Sequence, residues 1–416
     1  MAFMNKNMRN FVLVAVILAL APVAGAHAQS GFSRERLAAM DHAIQAEVDK
    51  GRVAGVVVAV ARHGRIVHNK AYGYADASTK RPMTTDSLFR LYSMTKPITS
   101  VALLTLYEQG KFQLNDPLDK YIPEFANLQV YAGTDANGNV MLEPLKRKPT
   151  IQDAFRHTLG LSGGLGNHPV DVMYRDAGIG MFELDSLRDE IVKLGSVPLR
   201  YQPGEEWVYG LGHDVQAYLV EVFSGMPFGE YLQKTIFDPL GMKDTMFGVP
   251  ASRRADFAWV HAPNGDGGLV PEDGDRYARF TDHHFATLSL SSSTGDYLTF
   301  SRMLLNGGEL DGKRILGRKT RALMAMNHLP ENIPSINNGR GPSATGYGLG
   351  VSVVLDPAKL GKLDSAGSFG WGGAATTTFR VDPAEDMVYV INAQTLPGDQ
   401  ALLDQIQVLI YQAITD

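Results

Sequence analysis

Apolar side chains recur at helical spacing near the start of the chain, in FSRERLAAMDHAIQAEVDKG. This period predicts an amphipathic helix that ends at Gly51. Two β-branched runs follow in VAGVVVAVARHGRIVHNKAYGYAD, and the His63-Gly64 pair between them is typical of a hairpin turn. The pattern therefore predicts one helix followed by two antiparallel strands.

Strand patterns return near the end of the chain, in GYGLGVSVVLD, TTTFRVD and DMVYVINAQ. Turns are predicted between them at Asp356-Pro357 and at Asp382 to Asp386. The segment ALLDQIQVLIYQAI has helical spacing and predicts a closing helix. Residues 111–285 are rich in Gly, Pro and Asp, with helical segments such as Val215 to Phe223 and no strong strand alternation.

This order of elements predicts an α/β fold of the α+β kind, with an antiparallel sheet flanked by helices and a second, mainly helical domain. Residues 29–110 and 286–416 are expected to form the α/β domain. Residues 111–285 are expected to form the helical domain, inserted between the two parts of the first.

The first 28 residues have the pattern of a secretory signal peptide. Lys6 and Arg9 precede the apolar run 11–21, and the small-residue triplet Ala26-His27-Ala28 predicts cleavage after Ala28. The apolar run would rise only about 16 Å as a helix, which is short of a bilayer core. The pattern therefore favours a periplasmic or secreted protein without a stable membrane anchor after cleavage.

Composition narrows the function classes. The chain of 416 residues is 44% hydrophobic and 20% charged, which is typical of a globular protein with a sizeable core. A net charge of -5, or -7 after removal of Lys6 and Arg9, gives no electrostatic footprint for nucleic acid. The absence of cysteine excludes disulfides, thiol nucleophiles and thiolate metal sites.

Two serines compete as candidate nucleophiles, and the first lies in GLSGG at residues 160–164. This stretch fits the G-x-S-x-G pattern of α/β-hydrolases, which requires a buried strand before the serine and a helix directly after it. The preceding PTIQDAFRHTL has helical spacing, and the following GLGNHPVD is rich in glycine. Ser162 is therefore predicted to be a turn residue.

The second candidate, Ser93, stands three residues before Lys96 at the start of an apolar helix predicted over residues 94–110. This S-x-x-K spacing places both side chains on one helical face. A serine hydroxyl needs a nearby base, and a lysine can serve where burial or neighbouring charge disfavours its ammonium form. The Ser93 N–H, at the helix start, also points to where an oxyanion would form.

Two further motifs lie farther along the chain. Tyr209 lies at the mouth of a helix after Pro203-Gly204-Glu205, where its phenol could share a proton with Lys96. Trp371-Gly372-Gly373 precedes a β-rich run, and its glycines would let a strand backbone approach a ligand closely.

With these three motifs at family-like spacing, the chain resembles the serine β-lactamase and penicillin-binding protein superfamily, most closely its family VIII carboxylesterases. The resemblance implies a β-lactamase/transpeptidase-like fold, with Ser93 as acylated nucleophile, Lys96 as its proton acceptor and Tyr209 as proton donor to the leaving group. It also implies an oxyanion hole formed by the backbone N–H groups of Ser93 and Ala374.

Two positions depart from the class C β-lactamase pattern. Trp371 replaces the lysine of K-T-G, which meets a carboxylate on the antibiotic, and Leu211 replaces the asparagine of Tyr-x-Asn. Trp371, Gly372, Gly373 and Leu211 are therefore expected to form a substrate-binding surface suited to an uncharged acyl or aryl ester.

The sequence thus predicts an exported serine esterase that acts on small-molecule esters without metal or other cofactor. A β-lactamase, a D-aminopeptidase or another amide hydrolase is the alternative enzyme on this fold. A penicillin-binding or sensor protein without turnover is the alternative outside catalysis. The pair His283-His284 lacks metal-ligand spacing and is interpreted as a surface loop.

Overall fold

A computed structural model describes residues 31–164, 166–179, 186–265, 268–272, 289–336 and 343–416. The predicted signal peptide and the pair His283-His284 lie outside the described residues. Within them, no helix combines the length and apolarity that a membrane span requires.

The helices alternate with strands along most of the chain. The α-helices are α1 Arg34–Asp49, α2 Thr95–Glu108, α3 Ile151–Phe155, α4 Pro169–Asp176, α5 Leu187–Leu194, α6 Gly212–Ser224, α7 Phe228–Leu232, α8 Asp238–Leu240, α9 Thr294–Leu305, α10 Arg318–Met324, α11 Pro357–Leu360 and α12 Gln400–Tyr411. Short 3-10 turns cover Tyr92–Met94, Leu118–Lys120, Pro123–Phe125 and Ala251–Asp256, and a π-helical turn, Gln233–Phe237, joins α7 to α8.

The strands are short except for those at the centre of the main sheet. They are β1 Gly55–Arg62, β2 Arg65–Asp76, β3 Arg81–Pro82, β4 Leu88–Arg90, β5 Gln129–Thr134, β6 Val140–Pro144, β7 Met246–Phe247, β8 His261–Pro263, β9 Leu269–Pro271, β10 Leu290–Ser293, β11 Glu309–Leu310, β12 Lys313–Arg314, β13 Thr345–Tyr347, β14 Ser352–Val354, β15 Phe369–Gly373, β16 Thr377–Asp382 and β17 Met387–Ala393.

The main sheet has the strand order β13-β14-β15-β16-β17-β1-β2-β3, and its neighbouring strands are antiparallel. Its centre joins the two ends of the chain, because β1 pairs with β17 from Val56 opposite Ala393 to Arg62 opposite Met387. This arrangement confirms the predicted antiparallel sheet flanked by helices.

Helices cover both faces of the sheet. Val56, Val58 and Val60 of β1 pack with α1 and α12 in one hydrophobic cluster. Ala59 and Ala61, which point the opposite way because side chains alternate along a strand, belong to the larger cluster that contains α2 and α9. All eight residues of β1 are buried, which explains why its sequence is apolar from Gly55 to Ala61 rather than alternating.

The predicted N-terminal hairpin is present as β1 and β2. His63 and Gly64 both have positive φ, 51° and 71°, as the tightest hairpin turns require. The predicted first helix and closing helix are α1 and α12. The Gly51 that follows α1 has φ 74°, a left-handed conformation that glycine adopts without strain.

Two C-terminal details differ from the prediction. GYGLGVSVVLD, expected to be one strand, forms β13 and β14, because the backbone turns where Gly348 N–H donates to the Val351 carbonyl at 2.7 Å. Asp356-Pro357, expected to be a turn, starts the short helix α11, where the Asp356 carboxylate accepts from the Lys359 N–H. The predicted turn between Asp382 and Asp386 is present between β16 and β17.

Residues 111–285 contain strands that the sequence pattern did not indicate. β5 and β6 form one hairpin, and β8 and β9 form another. The helix α6 of this region packs against α2, and Val101 and Val215 lie in the same hydrophobic cluster. The division into domains at residues 110 and 286 stays a prediction.

A second, small sheet has the strand order β4-β10-β7, and β4 is the strand that precedes the Ser93 turn. It is joined to the main sheet by Gln394, just after β17, whose amide oxygen accepts from Arg90 N–H and whose amide nitrogen donates to the Arg90 carbonyl, both at 3.2 Å. These contacts fix the strand that leads directly to Ser93.

Asp296 connects α9 to the segment before β7. Its carboxylate accepts from the Asp244 N–H at 2.7 Å and from the Thr245 hydroxyl at 3.0 Å. Burial raises the pKa of Asp296 to about 6, against 3.8 for an unperturbed aspartate. The native state therefore keeps this proton at pH values where the unfolded chain has lost it.

The raised pKa predicts that Asp296 favours folding most below pH 3.8 and that this contribution is lost as the pH rises through about 6. Asp296→Asn should remove the pH dependence and keep an oxygen acceptor. Urea unfolding of both proteins between pH 4 and 7 measures the effect. The stability of the wild type relative to Asp296→Asn should fall up to about pH 6 and then level off, and a constant difference would contradict the assignment.

Candidate active site

Ser93 lies in the 3-10 turn Tyr92–Met94, between β4 and α2. Tyr92 has φ 48°, a left-handed conformation that is strained for a bulky side chain. Two contacts hold the turn: the Leu91 N–H donates to the Leu290 carbonyl at 2.9 Å, and the Tyr297 hydroxyl donates to the Met94 carbonyl at 2.8 Å. The half-buried Ser93 is thus fixed at a strand-turn-helix junction.

Lys96, in the first turn of α2, is fully buried. Its Nζ lies 3.2 Å from Ser93 Oγ and forms a hydrogen bond with it. The predicted S-x-x-K pair is therefore brought together as the helical spacing requires. A buried amine at this distance is placed to exchange a proton with the serine hydroxyl.

Tyr209 approaches the same hydroxyl from the loop that precedes α6. Its phenol donates to Ser93 Oγ at 2.7 Å, and the centroid of its ring lies 4.8 Å from Lys96 Nζ. The Tyr209 side chain is 37% exposed, whereas Lys96 is fully buried. The group of three side chains is therefore accessible from solvent on the Tyr209 side and not on the Lys96 side. The three predicted catalytic residues meet at one oxygen atom.

Strand β15 brings Trp371-Gly372-Gly373 to the same place. A Cβ on Gly373 would lie 2.3 Å from the Leu91 carbonyl oxygen and 2.3 Å from Thr377 Oγ1, so only glycine permits this approach. The Trp371 ring lies 5.7 Å from that of Tyr209, between centroids. The third motif therefore adjoins both the Ser93 turn and the Tyr209 ring.

Ala374 is exposed and follows β15 directly, in the turn before β16. The approach of Gly373 to Leu91 places Ala374 beside the Ser93 turn. The pairing of the Ala374 N–H with the Ser93 N–H as an oxyanion hole stays a prediction.

Leu211 is buried in the main hydrophobic cluster. This placement gives its side chain a packing role and does not support the expected contact with substrate.

Ser162 occupies an irregular loop, with α3 ending at Phe155 and α4 beginning at Pro169. It is buried, and its hydroxyl donates to the Asp171 carboxylate and accepts from the Gly164 N–H at 3.3 Å. Among the described residues on either side of Ser162 there is neither the strand nor the helix of a nucleophile elbow. A Cβ on Gly210 would lie 2.7 Å from the Leu161 carbonyl oxygen, so this loop supports the Tyr209 segment.

Tyr209 lies beside a group of ring side chains, of which only Trp371 was identified as a candidate from the sequence. The group consists of His157, Trp207, His213, Tyr347 and Trp371, linked by ring contacts of 4.8 to 5.8 Å. A histidine within the otherwise ordinary FRHTL segment was the available signal for His157. Tyr347 was hidden because GYGLG was interpreted only as a strand start.

The two histidines of this group are neutral at neutral pH. Burial, followed by the positive charge of Lys96, holds the pKa of His157 well below its ordinary range. Burial does the same for His213, assisted by His157 and Lys96. Among the residues that the structure describes, no three His, Cys, Asp or Glu side chains are grouped as a metal site.

Comparison with known proteins agrees with this fold and geometry. A family model described as β-lactamase matches residues 40–412. The chain belongs to the β-lactamase family, and the sequence resemblance to its family VIII carboxylesterase branch is confirmed.

Individual relatives include enzymes that act on esters. Esterase EstB of Burkholderia gladioli is 31% identical over 366 residues, covering 83% of this chain and 87% of that protein. The structure of EstCE1, a hydrolase with promiscuous acyltransferase activity, has a TM-score of 0.76 at 25% identity and covers 91% of this chain and 99% of its own. A mutant simvastatin synthase of Aspergillus terreus has a TM-score of 0.77 at 26% identity, with 91% and 95% covered. The chain is thus a member of a serine hydrolase superfamily with esterase and acyltransferase relatives.

Gly373→Ala should displace β15 from the Ser93 turn, because the new methyl group overlaps the Leu91 carbonyl. We expect kcat/KM for an aryl ester to fall at least about tenfold, since small misplacements of a catalytic group are costly. Gly295→Ala is the matched control, because its Cβ would meet nothing closer than 3.9 Å. Equal activities of the two variants would show that the close approach is not required.

Proposed function

We propose that this protein is an exported serine carboxylesterase that cleaves short-chain or aryl esters through an acyl-enzyme on Ser93. The observation that carries the proposal is the meeting of Lys96 and Tyr209 at Ser93 Oγ, at 3.2 and 2.7 Å. This arrangement supplies a nucleophile, a base and an acid at one point.

In the proposed acylation step, the hydroxyl proton of Ser93 moves to Lys96 Nζ while Oγ bonds to the ester carbonyl carbon. The N–H groups of Ser93 and Ala374 stabilise the resulting oxyanion. When the intermediate collapses, the bond to the alkoxy oxygen breaks, and Tyr209 donates its proton to that oxygen and recovers one from Lys96. Water then attacks the acyl-enzyme by the same groups in reverse, which releases the acid and restores Ser93.

The two positions that differ from class C β-lactamases favour an uncharged substrate. Trp371 stands where class C β-lactamases carry a lysine, and Leu211 supplies no amide and is buried in the core. A carboxylate on the substrate would therefore lose charge-assisted hydrogen bonds, which are the stronger kind.

Export is supported by the N-terminal signal pattern, with the mature protein in the periplasm or secreted.

Ser93→Ala should abolish acylation, because the nucleophilic oxygen is removed. Ser162→Ala should retain kcat within about threefold, because that hydroxyl bonds to Asp171 of α4 and to Gly164 and not to Ser93, Lys96 or Tyr209. Burst and steady-state hydrolysis of p-nitrophenyl acetate measure both effects, with circular dichroism to verify folding. Loss of chemistry in a folded Ser162→Ala protein would contradict the choice of Ser93.

The substrate class is tested with a panel of p-nitrophenyl esters beside nitrocefin. We expect kcat/KM for a short-chain aryl ester to exceed that for nitrocefin by at least about a hundredfold, the scale of one or two lost charged contacts. Comparable values would favour a β-lactamase. A burst of one equivalent without subsequent turnover would favour a penicillin-binding or sensor protein.

A further inference from the structure

His157 binds the backbone on both sides of Tyr209. Its carbonyl oxygen accepts from the Val208 N–H at 2.9 Å, and its ring Nδ1 accepts from the Gly210 N–H at 3.4 Å. His157 itself has φ 59°, a left-handed conformation that is uncommon for non-glycine residues and that asparagine, aspartate and histidine adopt most often. In this conformation the carbonyl and the ring of His157 both contact the segment 208–210.

The His157 ring also packs against the ring of Tyr209. Its centroid is 4.7 Å from that of Tyr209 and 5.6 Å from that of Trp207, and the residue is 2% exposed. The buried His157 ring therefore restricts the movement of the Tyr209 ring by direct packing. Tyr209 is held by hydrogen bonds at its neighbours and by packing at its ring.

The contact with Gly210 requires an unprotonated Nδ1, because the backbone N–H can only donate. Burial, which keeps His157 neutral, makes this form available at neutral pH. The Nδ1 atom is engaged by the backbone, and Nε2 is buried without a hydrogen-bond partner among the described residues. The His157 ring thus acts as a hydrogen-bond acceptor that holds the backbone at Gly210.

We propose that His157 is a positioning residue that holds the Tyr209 phenol on Ser93 Oγ, an inference that rests on the proposed role of Tyr209 as the proton donor. His157 acts through Tyr209 and not on the substrate. Its loss therefore affects the proton-transfer step and leaves substrate binding nearly unchanged.

The test uses two substitutions that the backbone conformation tolerates. His157→Gly removes ring and acceptor without strain at positive φ, whereas His157→Asn keeps an oxygen near the position of Nδ1 and also tolerates this φ. With p-nitrophenyl acetate, His157→Gly should lower kcat about 10- to 100-fold and change KM less than about threefold. His157→Asn should recover most of the lost kcat.

A double-mutant cycle with Tyr209→Phe separates positioning from a general effect on folding. In the Tyr209→Phe background, His157→Gly should cost less than about threefold in kcat, because the hydroxyl that it positions is already absent. The same fold-loss in both backgrounds would overturn the proposal. If His157→Gly does not fold, His157→Gln takes its place in the cycle, since its amide reaches one carbon too far for the Gly210 contact.

The single variant Tyr209→Phe keeps the two proposals apart. A wild-type kcat in this variant would overturn the proton-donor role and therefore the proposed mechanism. A large loss in Tyr209→Phe together with an additive cycle would overturn the role of His157 alone. Failure of His157→Asn to recover activity would overturn the hydrogen bond to Gly210 as the means of positioning.

Discussion

The Ser93 hydroxyl oxygen receives hydrogen bonds from Lys96 and Tyr209, and the arrangement of the surrounding fold depends on satisfying both at once. Lys96 is close to Ser93 in the chain, so one helical turn is enough to place it. Tyr209 is 116 residues away and must be brought by tertiary structure. The packing of α6 on α2 therefore buries apolar surface and also places the Tyr209 phenol against Ser93 Oγ.

Close backbone contacts make that delivery accurate. Gly373 brings β15 against the carbonyl of Leu91, and Gly210 brings the Tyr209 segment against the carbonyl of Leu161. In each case a side chain at the glycine would push the two segments apart. Contacts between backbone atoms have no rotamers to vary, so they hold the site more rigidly than contacts between long side chains.

The sequence predicted those parts of the fold that depend on neighbours in the chain. α1, the β1-β2 hairpin, α12 and the Ser93-Lys96 pair follow from periodicity, turn residues and helical spacing. The fold class and the identity of Tyr209 came from the ordered motifs and the family resemblance. The features that the sequence did not predict depend on distant contacts. They are the turn at Gly348 that divides one expected strand into two, and the burial of Leu211. His157 escaped for the same reason, because its partners follow about 50 residues later.

The pairing of β1 with β17 has a consequence for synthesis of the chain. β1 is buried along its whole length, yet its partner on one side emerges roughly 330 residues later. At about 5–20 residues per second, the hairpin waits on the order of tens of seconds with one apolar edge unpaired. During this interval the unpaired edge of β1 is open to pairing with other chains, a contact that β17 prevents in the finished fold.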